Sequence, residues 1–387
     1  MAIVNSISAL EEEMTGWRRH LHRTPELGLD CFKTAAFIVE KLKEFGITEI
    51  HEGIARSGVV AIIEGRAPGR TIGLRADMDA LPMDDLSGTE YASTVPGLAH
   101  TCGHDGHTTM LLGAGKYLSE TRNFAGRVAL IFQPAEENEG GGRIMVEEGI
   151  MDRFDIEEVF GIHNSPGAPE GSLNTNHGAL LAGVDEFTVH IKGIGGHGAQ
   201  PQNTVDPVVA AASMVMSIQT ILGRNLSALD RVVVSVTQIH TGSAMNIVPE
   251  TAMLNGTVRY YDTDAQATVK SRLAEIVEFQ ARSFGCTAEL VYEDGYPPTI
   301  NHPEQAAFAA EVAREVVGAD MVDEDTPPIM PGEDFAYMLQ ARPGAYLFLG
   351  QGDTPICHHP KYDFNDRIAP VGASFFARLV ERALPVG

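Results

Sequence analysis

Eight consecutive residues, His100-Thr101-Cys102-Gly103-His104-Asp105-Gly106-His107, hold three imidazoles, one thiol and one carboxylate, with glycines that let the backbone bend between them. Those side chains are the usual ligands of a borderline-soft divalent metal. The apolar and small residues from Thr108 to Tyr117 predict a helix, with Asp105 placed to cap it. The cluster is therefore expected on a loop that feeds a helix N-terminus, where α/β enzymes commonly build their sites. A capped helix with surface histidines is the plainer reading, but it leaves so dense a crowd of ligand types unexplained.

Other residues offer complementary chemistry. Glu136-Glu137 closes the run Gln133-Pro134-Ala135-Glu136-Glu137 behind an apolar stretch. Of two adjacent carboxylates pointing different ways, one can bind a metal while the other serves as general base. Asp77 and Asp79 follow a second apolar run, His163 follows a third, and Cys357-His358-His359-Pro360 follows a fourth. Gly193-Ile194-Gly195-Gly196-His197-Gly198 lacks the GxGxxG spacing of a dinucleotide loop; a histidine framed by glycines suits hydrogen bonding to a carbonyl or its oxyanion. Asn246 and Arg259 lie on or beside predicted strands, and the planar fork of Arg259 could clamp a carboxylate. No GxSxG elbow or P-loop is present.

The elements that must position these residues follow from periodicity. Helices are predicted over Ser6–His22, Thr34–Phe45 and from Gly142 through Glu148, and strands over Gly58–Ile63, Arg70–Arg75, Val128–Phe132, Val159–Ile162 and Ala345–Gly350. Strands alternating with helices argue for an α/β fold with a covered, mostly parallel sheet. The polar candidates gather just past strand C-termini, the edge where such sheets place ligands. From about Asp185 the rhythm changes. Strand Phe187–Lys192, helix Asp206–Leu222, strands Arg231–His240 and Met253–Tyr260, helix Ala265–Phe284 and strand Thr287–Tyr292 follow in the βαββαβ, ferredoxin-like order. Helix Pro303–Val317 then resumes the first pattern. Residues 185–294 are thus expected to form a domain inserted into a discontinuous one, 1–184 with 295–387.

Across 387 residues, Lys+Arg number 28 against Asp+Glu 52, a net charge of −24, which repels nucleic acid and anionic membranes. No apolar stretch is read as long enough to span a bilayer, and no signal peptide is expected from Met1 to Glu13. Four scattered cysteines without a CxxC pair point to reduced thiols and a cytoplasmic location, with Cys31 and Cys286 as small buried hydrophobes.

The ordered motifs Arg19-His20-Leu21-His22 with Pro25-Glu26-Leu27, Leu74 to Pro82, His100 to His107, Gln133 to Glu137, Gly161-Ile162-His163, Gly195 to Ala199, Asn246-Ile247-Val248-Pro249, Gly332-Glu333-Asp334-Phe335 and His358-His359-Pro360 span nearly the whole chain. They resemble the amidohydrolase branch of the aminoacylase and carboxypeptidase metallopeptidases, which includes hippurate hydrolases, N-acetyl-amino-acid deacetylases and plant auxin-conjugate hydrolases. The resemblance implies a catalytic domain with two divalent metal ions per subunit (manganese, zinc, nickel or cobalt) and an inserted domain that serves for dimerisation and as a lid. It gives Cys102, His104, Glu137, His163 and His358 as metal ligands, with Cys102 bridging, and Glu136 as general base on a metal-activated water. His197 would reach the partner subunit's site, Asn246 and Arg259 would bind substrate, and Asp77 and Asp79 would stand behind the ligands. The implied reaction is hydrolysis of an N-acyl amino acid by a homodimer or homotetramer. A dipeptidase or carboxypeptidase, an N-acetyl-diaminopimelate deacetylase and a catalytically silent binding protein remain as alternatives. Cys31 stands where relatives often carry an acidic residue.

Overall fold

The structure is a computed structural model describing residues 4–386. It forms two compact units. One runs up to Leu180 and takes in Thr299–Pro328 and the chain from Asp334 onward; the other holds Leu181–Pro298 and Ile329–Glu333.

The first unit is built on a mixed sheet whose strands include β1 (Glu49–Ile54), β2 (Gly58–Glu64), β3 (Ala67–Asp77), β4 (Ala125–Gln133), β5 (Ile156–Pro166) and the strand Gly344–Gly352. Its spatial order is β1-β2-β4-β3-β5-(Gly344–Gly352), then the two-residue strands Leu173–Asn174 and Val322–Asp323. The mostly parallel expectation holds for β4, β3, β5 and Gly344–Gly352, whereas β1 and β2 join antiparallel. The sequence reading omits β1, Glu-Ile-His-Glu-Gly-Ile, because a largely exposed edge strand shows no apolar run. In β3, by contrast, every residue from Thr71 to Asp77 is buried, as a strand covered on both faces requires.

Helix His104–Thr121 packs against Glu11–Arg23 and Ala369–Ala383 and is buried around almost its whole circumference over its first three turns. It begins four residues before the predicted Thr108. The predicted Ser6–His22 helix is instead Asn5–Ser8 followed by Glu11–Arg23. Pro303–Val317 forms as read, while Phe335–Ala341 and Ala369–Ala383 are additional helices.

The second unit runs Gly183–Lys192, Pro207–Ile218, Val232–Thr241, Thr251–Tyr260, Thr263–Ser283 and Thr287–Asp294 as strand, helix, strand, strand, helix, strand. Its antiparallel sheet places Thr251–Tyr260 and Gly183–Lys192 centrally, between Val232–Thr241 and Thr287–Asp294. One face, carrying Phe187, Val189, Ile191, Leu254 and Val258, packs on Met214, Ile218, Leu273 and Val277 of the helices. The predicted helix Asp206–Leu222 is two helices joined at Gln219, Pro207–Ile218 and Thr220–Arg224. This stretch is apolar enough to cross a bilayer by composition. Its two pieces, however, each fall well short of the ~20 residues a span needs, and Ala210, Ala211, Met214, Ile218 and Ile221 are spent on the unit's own core.

Candidate metal centre

The parallel strands β4, β3 and β5 deliver their C-terminal ends to one edge of the first unit, with Asp77 opposite Gln133 in register. Past β4 the chain turns at Ala135, which holds a positive φ of 56°. This turn brings Glu136 and Glu137 to the nitrogen of one imidazole: His104 Nε2 lies 4.0 Å from Glu136 Oε2 and 3.8 Å from Glu137 Oε1. The far side of Glu137 Oε1 meets His358 Nε2 at 3.3 Å. Cys102 Sγ stands 3.4 Å from His163 Nε2. Ligand atoms of Cys102, His104 and His163, of Cys102, Glu137 and His358, and of His104, Glu136 and Glu137 each fall within 4.8 Å of one another. All six of these predicted residues are thus gathered by one unit. His163 is not at its strand's end but inside β5, which runs on to Pro166.

Both of these histidines have their tautomers fixed from behind. His104 Nδ1 donates to the Asp79 carbonyl at 2.9 Å and lies 3.2 Å from its carboxylate; His163 Nδ1 donates to the Asn164 carbonyl at 2.7 Å. Each Nε2 lone pair is therefore turned into the cluster, which is how ligating histidines are oriented. Asp79 also accepts from the Glu137 main-chain N–H at 3.1 Å, so one carboxylate braces two candidate ligands. Asp77 takes His107 Nδ1 at 2.6 Å and Arg75 Nη1 at 2.7 Å. His104, His107 and Arg75 together hold its carboxyl well below the ordinary range against the opposing effect of burial.

Some contributors were not singled out by sequence reasoning. Asn164 meets the other side of His107: its main-chain N–H donates to Nε2 at 3.0 Å, and its Oδ1 lies 2.6 Å from the same nitrogen. Asp334 is buried among Arg75 Nη2 at 3.0 Å, Gln133 Nε2 at 2.7 Å and the Gly142 N–H at 2.7 Å. The signal for Arg75 was present: an arginine two residues from an aspartate on a strand shares its face. Nothing in the sequence announces Asn164.

Asp105 is a correction. The helix N-cap is Gly103, with φ 100°, and no side chain caps it. Asp105 instead points away from the cluster, accepting from His22 Nδ1 at 2.7 Å with Arg18 at 3.8 Å. Burial opposes a charge on His22, yet Asp105 and Asp85 outweigh it and push the imidazole up to about 9. His100, the first imidazole of the sequence cluster, is buried with its ring 6.4 Å from that of His22, and burial pushes it down to about 4.

His197, Asn246 and Arg259 belong to the second unit. His197 pairs with Ile247 in a two-residue ladder, and the Gly198 N–H donates to the Asn246 carbonyl at 2.8 Å, so these two exposed residues sit side by side. Arg259, half-buried on the sheet, donates to Thr257 Oγ1 and to the Val258 carbonyl.

The donor set fits a pair of divalent cations. Among the described residues His104 Nε2 is buried with no hydrogen-bond partner, and Glu137 Oε1, also buried, has its nearest ionic contact in His358 at 3.3 Å; an unsatisfied buried imidazole nitrogen is expensive unless a ligand satisfies it. Burial resists charge on His104, but Asp77, Asp79 and Glu137 push it well above its ordinary value, so the field there favours a cation. Cys102 is pushed strongly upward by its hydrogen bond with Cys357, by burial and by Glu137 and Glu136; in such surroundings a metal is what makes a thiolate affordable.

Residues 73–382 match the profile of peptidase family M20/M25/M40. The chain is 36% identical to the hippurate hydrolase of Campylobacter jejuni over 384 residues, covering 99% of this chain and all of that one. It is 38% identical over 372 residues to an N-acetyl-L-cysteine deacetylase of Bacillus subtilis, covering 96% and 88%. A crystal structure of a dinuclear metal-binding peptidase of Bacillus subtilis superposes with a TM-score of 0.85 at 32% identity, covering 97% and 99%. The chain therefore belongs to peptidase family M20/M25/M40, within its metal-dependent amidohydrolase branch.

Proposed function

We propose that the protein hydrolyses the amide bond of N-acyl amino acids, releasing a carboxylate and a free amino acid. The observation that carries this is the different company kept by two adjacent carboxylates at one imidazole. Glu137 is braced by Asp79 and meets His104 and His358, while Glu136 reaches the same His104 nitrogen at 4.0 Å and has Asp334 beside it.

Cys102, His104, Glu137, His163 and His358 would hold two divalent ions, which when bound polarise the scissile carbonyl and lower the pKa of water at the centre. A thiolate among the ligands suits zinc, cobalt or nickel better than manganese. Glu136 takes the proton of the attacking water as its oxygen adds to the carbonyl carbon, then returns it to the amine nitrogen as the C–N bond breaks. The partner subunit's His197 donates to the carbonyl oxygen as it gains charge, Asn246 beside it helps hold the substrate, and Arg259 forks onto the amino acid carboxylate. This reading requires a homodimer or homotetramer in which the second unit serves as interface and lid. Four free cysteines accord with a cytoplasmic enzyme.

The test is amine release from a panel of N-acyl amino acids, hippurate and N-acetylcysteine included, alongside dipeptides, with metal-loaded and chelated protein. Chelator-sensitive release from the N-acyl set is the expected result. Cleavage of dipeptides alone moves the assignment to a peptidase. No release from either set by protein shown to hold metal leaves a binding protein.

A further inference from the structure

The chain holds four cysteines, and the structure treats them in two ways. Cys31 and Cys286 lie apart in the cores of different units. Cys31 donates to the Gly28 carbonyl at 3.2 Å, a settled structural contact. Cys102 and Cys357, 255 positions apart in sequence, are instead brought side by side in the fold. Their backbones are locked in the same register: the His358 N–H donates to the Thr101 carbonyl at 2.7 Å, and Cys357 Sγ lies 3.7 Å from the Cys102 carbonyl. Cys357 is half-buried and opens to solvent through the exposed loop of His358 and His359, while Cys102 is buried behind it. Asn164 Nδ2 donates to Cys357 Sγ at 3.7 Å. None of the three-residue ligand groups includes Cys357, so it stands beside the candidate centre without being gathered into it.

Two cysteines on adjacent, hydrogen-bonded backbone segments, the sulfur of one at the carbonyl of the other, are placed for a disulfide. One reachable, hydrogen-bonded sulfur in front of a resolving thiol is the arrangement of an oxidation site.

We propose that Cys357 and Cys102 form an oxidation site for hydroperoxides, in which Cys357 is the attacked sulfur and Cys102 the resolving one. The Cys357 thiolate attacks the peroxide O–O bond. An S–O bond forms, the O–O bond breaks, and the alcohol (water for hydrogen peroxide) leaves, the sulfur losing two electrons to the peroxide. The Cys102 thiolate then attacks the sulfenic sulfur; the S–S bond forms, the S–O bond breaks, and hydroxide departs as water after taking a proton. The net change is two thiols plus one hydroperoxide to one disulfide, one alcohol and one water. A Cys102 sulfur engaged in a disulfide is no longer a thiolate ligand, so oxidation expels metal and a dithiol restores binding capacity. This last consequence, though not the disulfide itself, rests on the ligand role proposed above for Cys102.

The experiment treats zinc-loaded protein with hydrogen peroxide and measures three things: thiols titrated after denaturation, disulfide-linked peptides by mass spectrometry, and protein-bound zinc. The expected result is loss of two of the four thiols, a Cys102–Cys357 linked peptide, and loss of zinc that dithiothreitol followed by added zinc reverses. Cys357→Ser should keep its zinc and form no link under the same treatment. Cys102→Ser should stop at a sulfenic acid on Cys357 that dimedone traps, a readout that needs neither metal nor activity. Four intact thiols in the wild type, a link through Cys31 or Cys286, or no dimedone adduct at Cys357 in Cys102→Ser would overturn the proposal. A Cys102–Cys357 link with zinc fully retained supports the oxidation site and overturns the ligand role of Cys102 instead.

Discussion

Three of the four carboxylates around His104 do different work, and substitution separates them. Glu136→Gln should lower kcat by ~10²–10⁴-fold while leaving bound zinc unchanged, since it removes only the proton carrier. Glu137→Gln should lose zinc, because that oxygen lies between His104 and His358. Asp79→Asn should weaken zinc binding by ~10–100-fold through the loosened His104 ring. Isothermal titration of metal beside steady-state kinetics distinguishes the three, and equal effects on both readouts for Glu136→Gln would remove its role as base. A fourth residue shows a pH dependence. The folded-state value of His22, about 9, lies above its ordinary 6.5. Its ion pair with Asp105 is therefore fully stabilising below about pH 6.5 and is lost as pH rises through 9. His22→Gln should cost ~3 kcal/mol near pH 6 and much less near pH 10 in urea denaturation; a pH-independent cost would show that packing, not charge, is what His22 supplies.

At the scale of elements, two glycines in helical settings give opposite expectations. Gly103, the N-cap with φ 100°, leaves no room for a side chain: a Cβ there would come within 2.2 Å of Asn164 Oδ1 and 2.5 Å of Tyr362 Oη. Gly103→Ala should destabilise by about 2 kcal/mol or more and loosen metal binding, because Cys102 and His104 flank it. Gly16, in the Glu11–Arg23 helix, has nothing within 4 Å, so Gly16→Ala should stabilise by ~0.5–1 kcal/mol. Thermal melts of the two variants check both signs. The same contrast explains what could be read in advance. Buried strands such as β3 and β4 declare themselves by apolar runs; Glu136 and Glu137 stand just beyond one such run and His163 within another, while Cys102 and His104 stand at the head of a buried helix. β1 does not, being an exposed edge whose pairing with β2, not its composition, makes it a strand. Asp105 was misread because an acidic residue ahead of an apolar run has the form of a cap; its partner His22 lies 83 positions away, a separation local pattern does not reveal. Asn164 escaped notice for the same reason, since its function comes from His107 and Tyr362 across the fold.

At the scale of the whole molecule, each unit has its own hydrophobic cluster, and every candidate ligand lies in the first. Calorimetry should therefore show a transition that moves with metal and one that does not. Free zinc at a hundred times its Kd should add ~2.7 kcal/mol to the first unit alone, and a shift of all transitions together would mean that the units unfold as one. The place of Gly344–Gly352 in the sheet has a further consequence, for synthesis. That strand fills the position between β5 and Leu173–Asn174, and the last candidate ligand, His358, follows it. On the ribosome, the second unit's six main elements have emerged by Asp294, while β5 still carries an unpaired edge. Through the following stretch of translation that edge is a template for pairing with other chains. A message truncated before residue 344 should yield insoluble, metal-free protein, and metal uptake becomes a mark that translation has run nearly to its end.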